Sequence, residues 1–168
     1  FGPTDEVGCF DLREDGIESL DDPSGLFLSG TAEPVEGTCV TVTLEGRRPL
    51  VAEVQSLLTP SAGGSPRRTV SGVDSARVNM LLAVLQRRAR FALAQDDCYV
   101  ATVGGVRLSE PASDLAVAVA VASAKLGAPV PTGMIAVGEL GLAGEVRPVP
   151  GIGRRVREAA RLGFTRAI

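Results

Sequence analysis

From Ala116 to Ala122 the chain carries alanine and valine alone, inside a stretch from Ser113 to Leu126 that is opened by Ser113-Asp114 and closed by Gly127. Alternation of Ala and Val alone fits a strand. The length, the polar start and the terminal glycine fit a helix better. Serine or aspartate caps a helix start, and glycine accepts the left-handed turn that ends one. A helix this apolar has to be buried. The rest of the chain must therefore supply the layers that enclose it.

Those layers are legible on both sides. Thr38 to Glu45 alternates and is rich in β-branched residues, Glu45-Gly46-Arg47-Arg48 reads as a turn, and Pro49 to Leu58 reads as the partner strand. A Gly/Ser/Pro loop follows, and Arg67 to Ser71 reads as a further strand. Asp74 to Arg90 is expected to be helical: Val78, Leu81, Leu82 and Leu85 recur at i, i+3, i+4, i+7, Asp74 or Ser75 caps the start, and Arg87, Arg88 and Arg90 suit the last turn. Cys98 to Val103 and Met134 to Val137 read as strands, Gly138 to Glu145 as a hairpin turn region. Gly151 to Leu162 reads as a basic helix with an apolar stripe of Ile152, Val156, Ala159 and Ala160, stopped by Gly163. Thr165 to Ile168 begins a last strand, and the chain stops inside it. Strands that pair as hairpins and then alternate with helices predict an α/β (α+β) sandwich with a mixed sheet. Residues 1–37 lack such periodicity and read as an acidic connector, with short strand-like pieces such as Val7 to Leu12; residues 38–168 read as the folded domain.

Composition narrows the chemistry. With no histidine, neither a Ser-His-Asp nor a Cys-His arrangement nor a His-ligated metal is available. The three cysteines Cys9, Cys39 and Cys98 are scattered, which argues against a disulfide framework and a cysteine zinc site. No signal peptide or membrane-spanning run is read, so the expected setting is the reducing cytoplasm. The net charge of −3 hides an asymmetry: residues 1–36 hold ten acids and only Arg13 as a base, whereas the remainder holds sixteen bases against ten acids. A basic body is a footprint of polyanion binding.

Nucleotide chemistry is not expected here, because no Gly-x-x-x-x-Gly-Lys-Ser/Thr run occurs and Lys125 is the sole lysine. Gly151-Ile152-Gly153 opens a helix and is more readily an ordinary turn than an anion site. Ser113 has two readings, an N-cap or a nucleophile beside helix N–H groups. A serine nucleophile without histidine needs a lysine base. Lys125 lies twelve residues along the same helix, roughly 18 Å away at the helical rise, so it cannot serve Ser113 within one chain.

Three stretches then carry a resemblance. Glu110-Pro-Ala-Ser-Asp-Leu-Ala, Gly138-Glu-Leu-Gly-Leu-Ala-Gly-Glu-Val-Arg-Pro-Val and the basic helix ending Glu158-Ala-Ala-Arg-Leu-Gly-Phe are similar in order and spacing to the Lon protease domain, a fold of the ribosomal protein S5 domain 2-like type. The resemblance places Ser113 on the nucleophile position and Arg155 on the lysine position. Arginine is not deprotonated in proteins and cannot be the base, so a degenerate dyad and no catalytic residue are expected. Within the Lon-like proteins the chain most resembles the C-terminal domain of RadA-type bacterial DNA-repair ATPases. Phe1-Gly-Pro-Thr-Asp-Glu-Val-Gly-Cys-Phe looks like the end of their RecA-like ATPase core, while Glu45-Gly-Arg-Arg-Pro-Leu-Val-Ala-Glu-Val and Pro66-Arg-Arg-Thr-Val-Ser-Gly-Val-Asp-Ser-Ala-Arg resemble their Lon-like domain.

The resemblance implies a chain truncated at its C-terminus and a whole protein that acts as an ATP-dependent branch-migration helicase in homologous recombination and assembles as a hexameric ring. ATP, Mg and zinc are expected in the missing domains, and no cofactor or metal in this one. The domain's implied partners are DNA, single-stranded or branched and touched through its backbone, and further copies of itself, with no membrane. Candidate phosphate ligands are Arg67 and Arg68, which come from a loop, with Arg77, then Arg87 and Arg88; Arg90 and the run Arg154-Arg155-Arg157 are further clusters with an ordinary reading as helix-end or solvated charges. Two other readings stay open: an oligomerisation scaffold without DNA contact, and a Ser–Lys peptidase completed by Lys125 of a neighbouring subunit.

Overall fold

The computed structural model describes residues 9–13, 16–20, 28–30 and 33–168. Most of the acidic segment's side chains, and the start of the strand-like piece Val7 to Leu12, lie outside the described residues. Within that segment β1 (Cys9–Arg13) pairs antiparallel with β2 (Gly16–Leu20) as a two-stranded sheet of its own.

The body is a mixed α/β fold built on a six-stranded mixed sheet. β3 (Thr38–Glu45), β4 (Arg48–Pro60), β5 (Arg68–Ser71), β6 (Asp96–Thr102), β7 (Met134–Ile135) and β10 (Arg166–Ala167) lie in the order β10-β7-β3-β4-β6-β5. β3, β4 and β6 run antiparallel to one another, whereas β5, β7 and β10 join in parallel. A small hairpin, β8 (Glu139–Leu140) with β9 (Val146–Arg147), stands apart. Three helices complete the fold: α1 (Ser75–Arg87), α2 (Asp114–Leu126) and α3 (Ile152–Arg161).

The alternation of side chains along β3 and β4 separates two cores. Cys39, Leu50, Ala52 and Val54 face α1 and α2, and Val42 and Val51 face α3. α1 buries Val78, Leu81, Leu82 and Leu85, the spacing read from the sequence, and Asp74 caps it by accepting from the Arg77 amide at 2.7 Å. Its end comes earlier than expected. Only Arg87 sits in the last turn, Arg88 is the C-cap, and Arg90 lies beyond in the left-handed region at φ 61°. α2 is the buried helix: alanines at 116, 118 and 120 are almost fully enclosed, and Gly127 closes it at φ 61°. The strand alternative fails because alanine is the best helix former and both ends carry stop signals.

Two expectations are corrected. Ser113 does not cap α2. It forms the end of a 3₁₀ turn, Pro111–Ser113, with helical backbone angles, and its hydroxyl donates back to the Glu110 carbonyl at 3.1 Å. The stripe expected to bury α3 is also displaced. Ile152 and Val156 remain 45% and 41% exposed and Ala160 is exposed, whereas Arg155 and Ala159 face the sheet. The helix is rotated so that a guanidinium goes inside.

At the joint between the acidic segment and β3, Gly37 holds φ +83°, and a Cβ there would meet the Ser56 carbonyl oxygen at 2.1 Å. Its amide donates to Ser123 Oγ at 2.9 Å, and its carbonyl accepts from the Ser56 amide at 2.7 Å. Only glycine fits such a close approach.

Candidate functional site

The turn that leads into α2 carries two carboxylates four residues apart, Glu110 and Asp114, with Ser113 between them. Each carboxylate takes one arginine, from opposite faces of the sheet. Glu110 binds Arg155 of α3 bidentately, Nη1 to Oε1 and Nη2 to Oε2, both at 2.6 Å. Arg155 also donates to the carbonyls of Val42 at 2.6 Å and Pro150 at 3.1 Å. Its side chain is 0% exposed and its Glu110 partner 26%. Glu110 further accepts from Thr43 Oγ1 at 2.9 Å and the Leu44 amide at 2.8 Å. Burial works against the charge of Glu110, but the Arg155 fork, the Leu44 amide and the Thr43 hydroxyl outweigh it and hold its pKa below the ordinary 4.5.

On the other face, Arg77 of α1 binds Asp114 with Nε and Nη2, each at 2.5 Å. Here the acid is the enclosed partner, at 1% exposure against 29% for the arginine. Asp114 also accepts from the Leu140 amide at 3.0 Å, so α1, α2 and β8 converge on one carboxylate. The hydrogen bond to Asp114, ahead of its charge, raises the Arg77 pKa further above its usual range. Beyond it a chain of charges runs from Arg77 to Glu139, Arg147 and Glu145.

Among the described residues the Ser113 hydroxyl is bonded to no basic side chain. Its hydroxyl is buried and spent on the Glu110 carbonyl. Arg155 keeps its proton in any protein. Lys125 is engaged elsewhere, its Nζ 2.5 Å from Asp96 Oδ2. Chemically the constellation is a pair of clamps around a turn.

The candidate DNA arginines divide by what their guanidinium groups touch. Arg67 is exposed; its backbone amide donates to Asp97 Oδ1 at 2.8 Å and its carbonyl accepts from the Cys98 amide at 2.9 Å, while among the described residues its guanidinium pairs with no carboxylate. Arg68 turns inward to the carbonyls of Asp96, Arg67 and, at 3.2 Å, Leu93. Arg77 is neutralised by Asp114. Arg87 is exposed at the end of α1, and Arg88 donates to the Leu142 carbonyl at 3.4 Å. Arg155 leaves the basic run of α3, because it is sealed in the core while Arg154 and Arg157 stay outside. A groove of about 990 Å³ opens between the end of β5 and the start of α1, lined by Val70, Gly72, Asp74, Arg77, Met80 and Arg107. Arg67 and Arg87 do not line it.

In the sequence Asp114 reads as part of a polar helix start and Glu110 as part of a motif, and neither is marked there as an arginine's partner. A signal existed: two acids bracketing a serine, in a basic body, at a turn that enters a buried helix. An acid enclosed in that place has to be paired.

The family model described as subunit ChlI of Mg-chelatase matches residues 82–168, just over half of the chain. The chain belongs to that family. The matched stretch contains Glu110, Ser113, Asp114 and Arg155, and leaves out Arg67, Arg68 and Arg77. Over all 168 residues the chain is also 56% identical to a protein named DNA repair protein RadA from Mycobacterium tuberculosis, covering 35% of it. It is 56% identical to the protein of the same name from Mycolicibacterium smegmatis and 45% to that from Halalkalibacterium halodurans, covering 36% and 37% of them. The chain thus spans a little over a third of the length of these relatives. Among the described residues no helix is long and apolar enough to cross a membrane.

Proposed function

We propose that the chain is a proteolytically inactive, Lon-protease-like domain of a RadA-type protein of the bacterial cytoplasm, serving DNA repair and recombination through ring assembly and sequence-independent contact with DNA. One observation carries the inactive reading. Arg155, on the position of a Lon-type lysine, is wholly enclosed and forked onto Glu110, and an arginine so held cannot take a proton from Ser113. Identity of 45–56% across the whole chain to proteins named DNA repair protein RadA supports the repair setting. The remainder of such a protein would hold the ATP-dependent helicase machinery with its ATP, Mg and zinc, and the hexameric ring would unite the copies.

For DNA contact, phosphates are met by outward guanidinium groups. Arg67 and Arg87 are placed for this. Arg68, Arg77 and Arg88 contribute less, since each has partners within the domain. Those inward commitments favour, as a second reading, a scaffold that assembles without touching DNA.

DNA binding across a salt series, with light scattering alongside, tests both. The DNA-contacting ring predicts affinity that falls linearly in log salt and drops on Arg67→Ala/Arg87→Ala. Assembly with no measurable DNA affinity would leave the scaffold. Covalent labelling of Ser113 by a serine-directed fluorophosphonate would overturn the inactive reading.

A further inference from the structure

The rotation of α3 that buries Arg155 has a second effect. It turns Arg154, Arg157 and Arg161 outward, at i, i+3 and i+7 on one face of the helix. From Arg154, Arg157 lies about 4.5 Å and Arg161 about 10.5 Å along the axis at the helical rise. Arg157 reaches back along the helix toward Gly153, where a Cβ would meet its Nη1 at 3.7 Å. Arg154 in turn reaches the β3–β4 turn, donating to the Arg47 carbonyl at 3.4 Å, which brings Arg47 and Arg48 up to the same end of the helix. Among the described residues neither Arg154 nor Arg157 pairs with a carboxylate, and the near acid, Glu158, is taken by Arg161 at 2.7 Å. Arg154 and Arg157 therefore set two guanidinium groups that pair with no carboxylate among the described residues side by side on the surface, an arrangement suited to successive phosphates more than to one small anion.

We propose that the outward face of α3, continued by the β3–β4 turn, is a second phosphate-backbone contact, so that the domain meets a nucleic-acid strand on the face of the sheet opposite α1 as well as through Arg67 and Arg87. The proposal rests on the DNA-contacting reading above, and it adds a surface which that reading does not use. Arg154 and Arg157 read the backbone without sequence preference. Arg155, between the two in the run, takes no part because it is inside.

The test is binding of a labelled oligothymidine strand by the 168-residue chain across a salt series, comparing wild type, Arg154→Ala/Arg157→Ala, Arg154→Lys/Arg157→Lys and Arg67→Ala. Both α3 positions are exposed, so folding is not at stake. The expected result is severalfold weaker binding by the alanine pair, with the log–log salt slope shallower by about 1.4, the amount two lost single-strand phosphate contacts predict. The lysine pair should bind as wild type. If Arg67→Ala weakens binding while the α3 alanine pair matches wild type in affinity and slope, the second surface is refuted and the DNA reading stands. If wild type itself shows no binding, the DNA reading fails and takes this proposal with it.

Discussion

The two arginine–carboxylate clamps around Ser113 use the same chemistry with opposite ends enclosed. In Glu110–Arg155 the cation is sealed at 0% exposure and the acid keeps a window to solvent. In Arg77–Asp114 the acid is sealed at 1% and the arginine keeps the window. A buried pair stabilises little over a well-packed apolar alternative, because desolvation offsets attraction, but stranding its enclosed member is costly. The clamps should therefore fail in different ways, and the sensitive position in each is the more exposed partner.

Glu110→Ala should have the largest effect. It strands a guanidinium that cannot shed its proton, leaving Arg155 only the Val42 and Pro150 carbonyls. Destabilisation near the top of the range for a broken buried pair, about 5 kcal/mol, is expected in urea unfolding. Arg77→Ala comes next, at about 3 kcal/mol. Asp114 keeps the Leu140 amide as a donor. Arg155→Met, which removes the enclosed member and refills its space, should cost less, about 2 kcal/mol, since Glu110 retains Thr43, Leu44 and its solvent window. If Arg155→Met proves worse than Glu110→Ala, the idea that stranding governs the cost is wrong.

Much of the frame was readable from the residues. Thr38 to Glu45 and its partner strand announce themselves by alternation, and α1 and α2 by periodicity and end signals. These local patterns agree with where the chain packs. α3 shows the limit. Ile152, Val156, Ala159 and Ala160 make a plausible apolar stripe, yet the helix turns its arginine inward. The bidentate bond to Glu110, forty-five residues away in sequence, outweighs the partial burial of two aliphatic side chains. The cap reading of Ser113 fails for a related reason: the serine opens the helix in sequence, but a tighter turn begins two residues earlier at Pro111, and the hydroxyl donates back to the Glu110 carbonyl. Position in the pattern was legible. The pairing between distant charged groups, which decides the site, was not.

Acid should loosen the Glu110 clamp. The Glu110 pKa is depressed in the folded chain, so its contribution is fully present above the ordinary glutamate value of 4.5 and is lost as pH falls through the lower, folded value. Wild-type stability should show a decrement below pH 4.5 that is missing from Glu110→Gln, a variant already without the charge. Parallel pH profiles for the two would mean that the Arg155 fork adds nothing beyond a neutral hydrogen bond.

Ser113 lies between the clamps and belongs to neither. Its hydroxyl makes one hydrogen bond, to a carbonyl on its own turn, so Ser113→Ala should cost about 1 kcal/mol, the net worth of a single such bond, and leave the pH profile and any DNA affinity unchanged. A loss comparable to that of Arg77→Ala would mean that the serine ties the turn together and that the clamps depend on it. The small effect is the expected one, because Glu110 and Asp114 are each fixed by three or more donors that do not involve Ser113. Ser113 can then be removed at a fraction of the cost of breaking either clamp beside it.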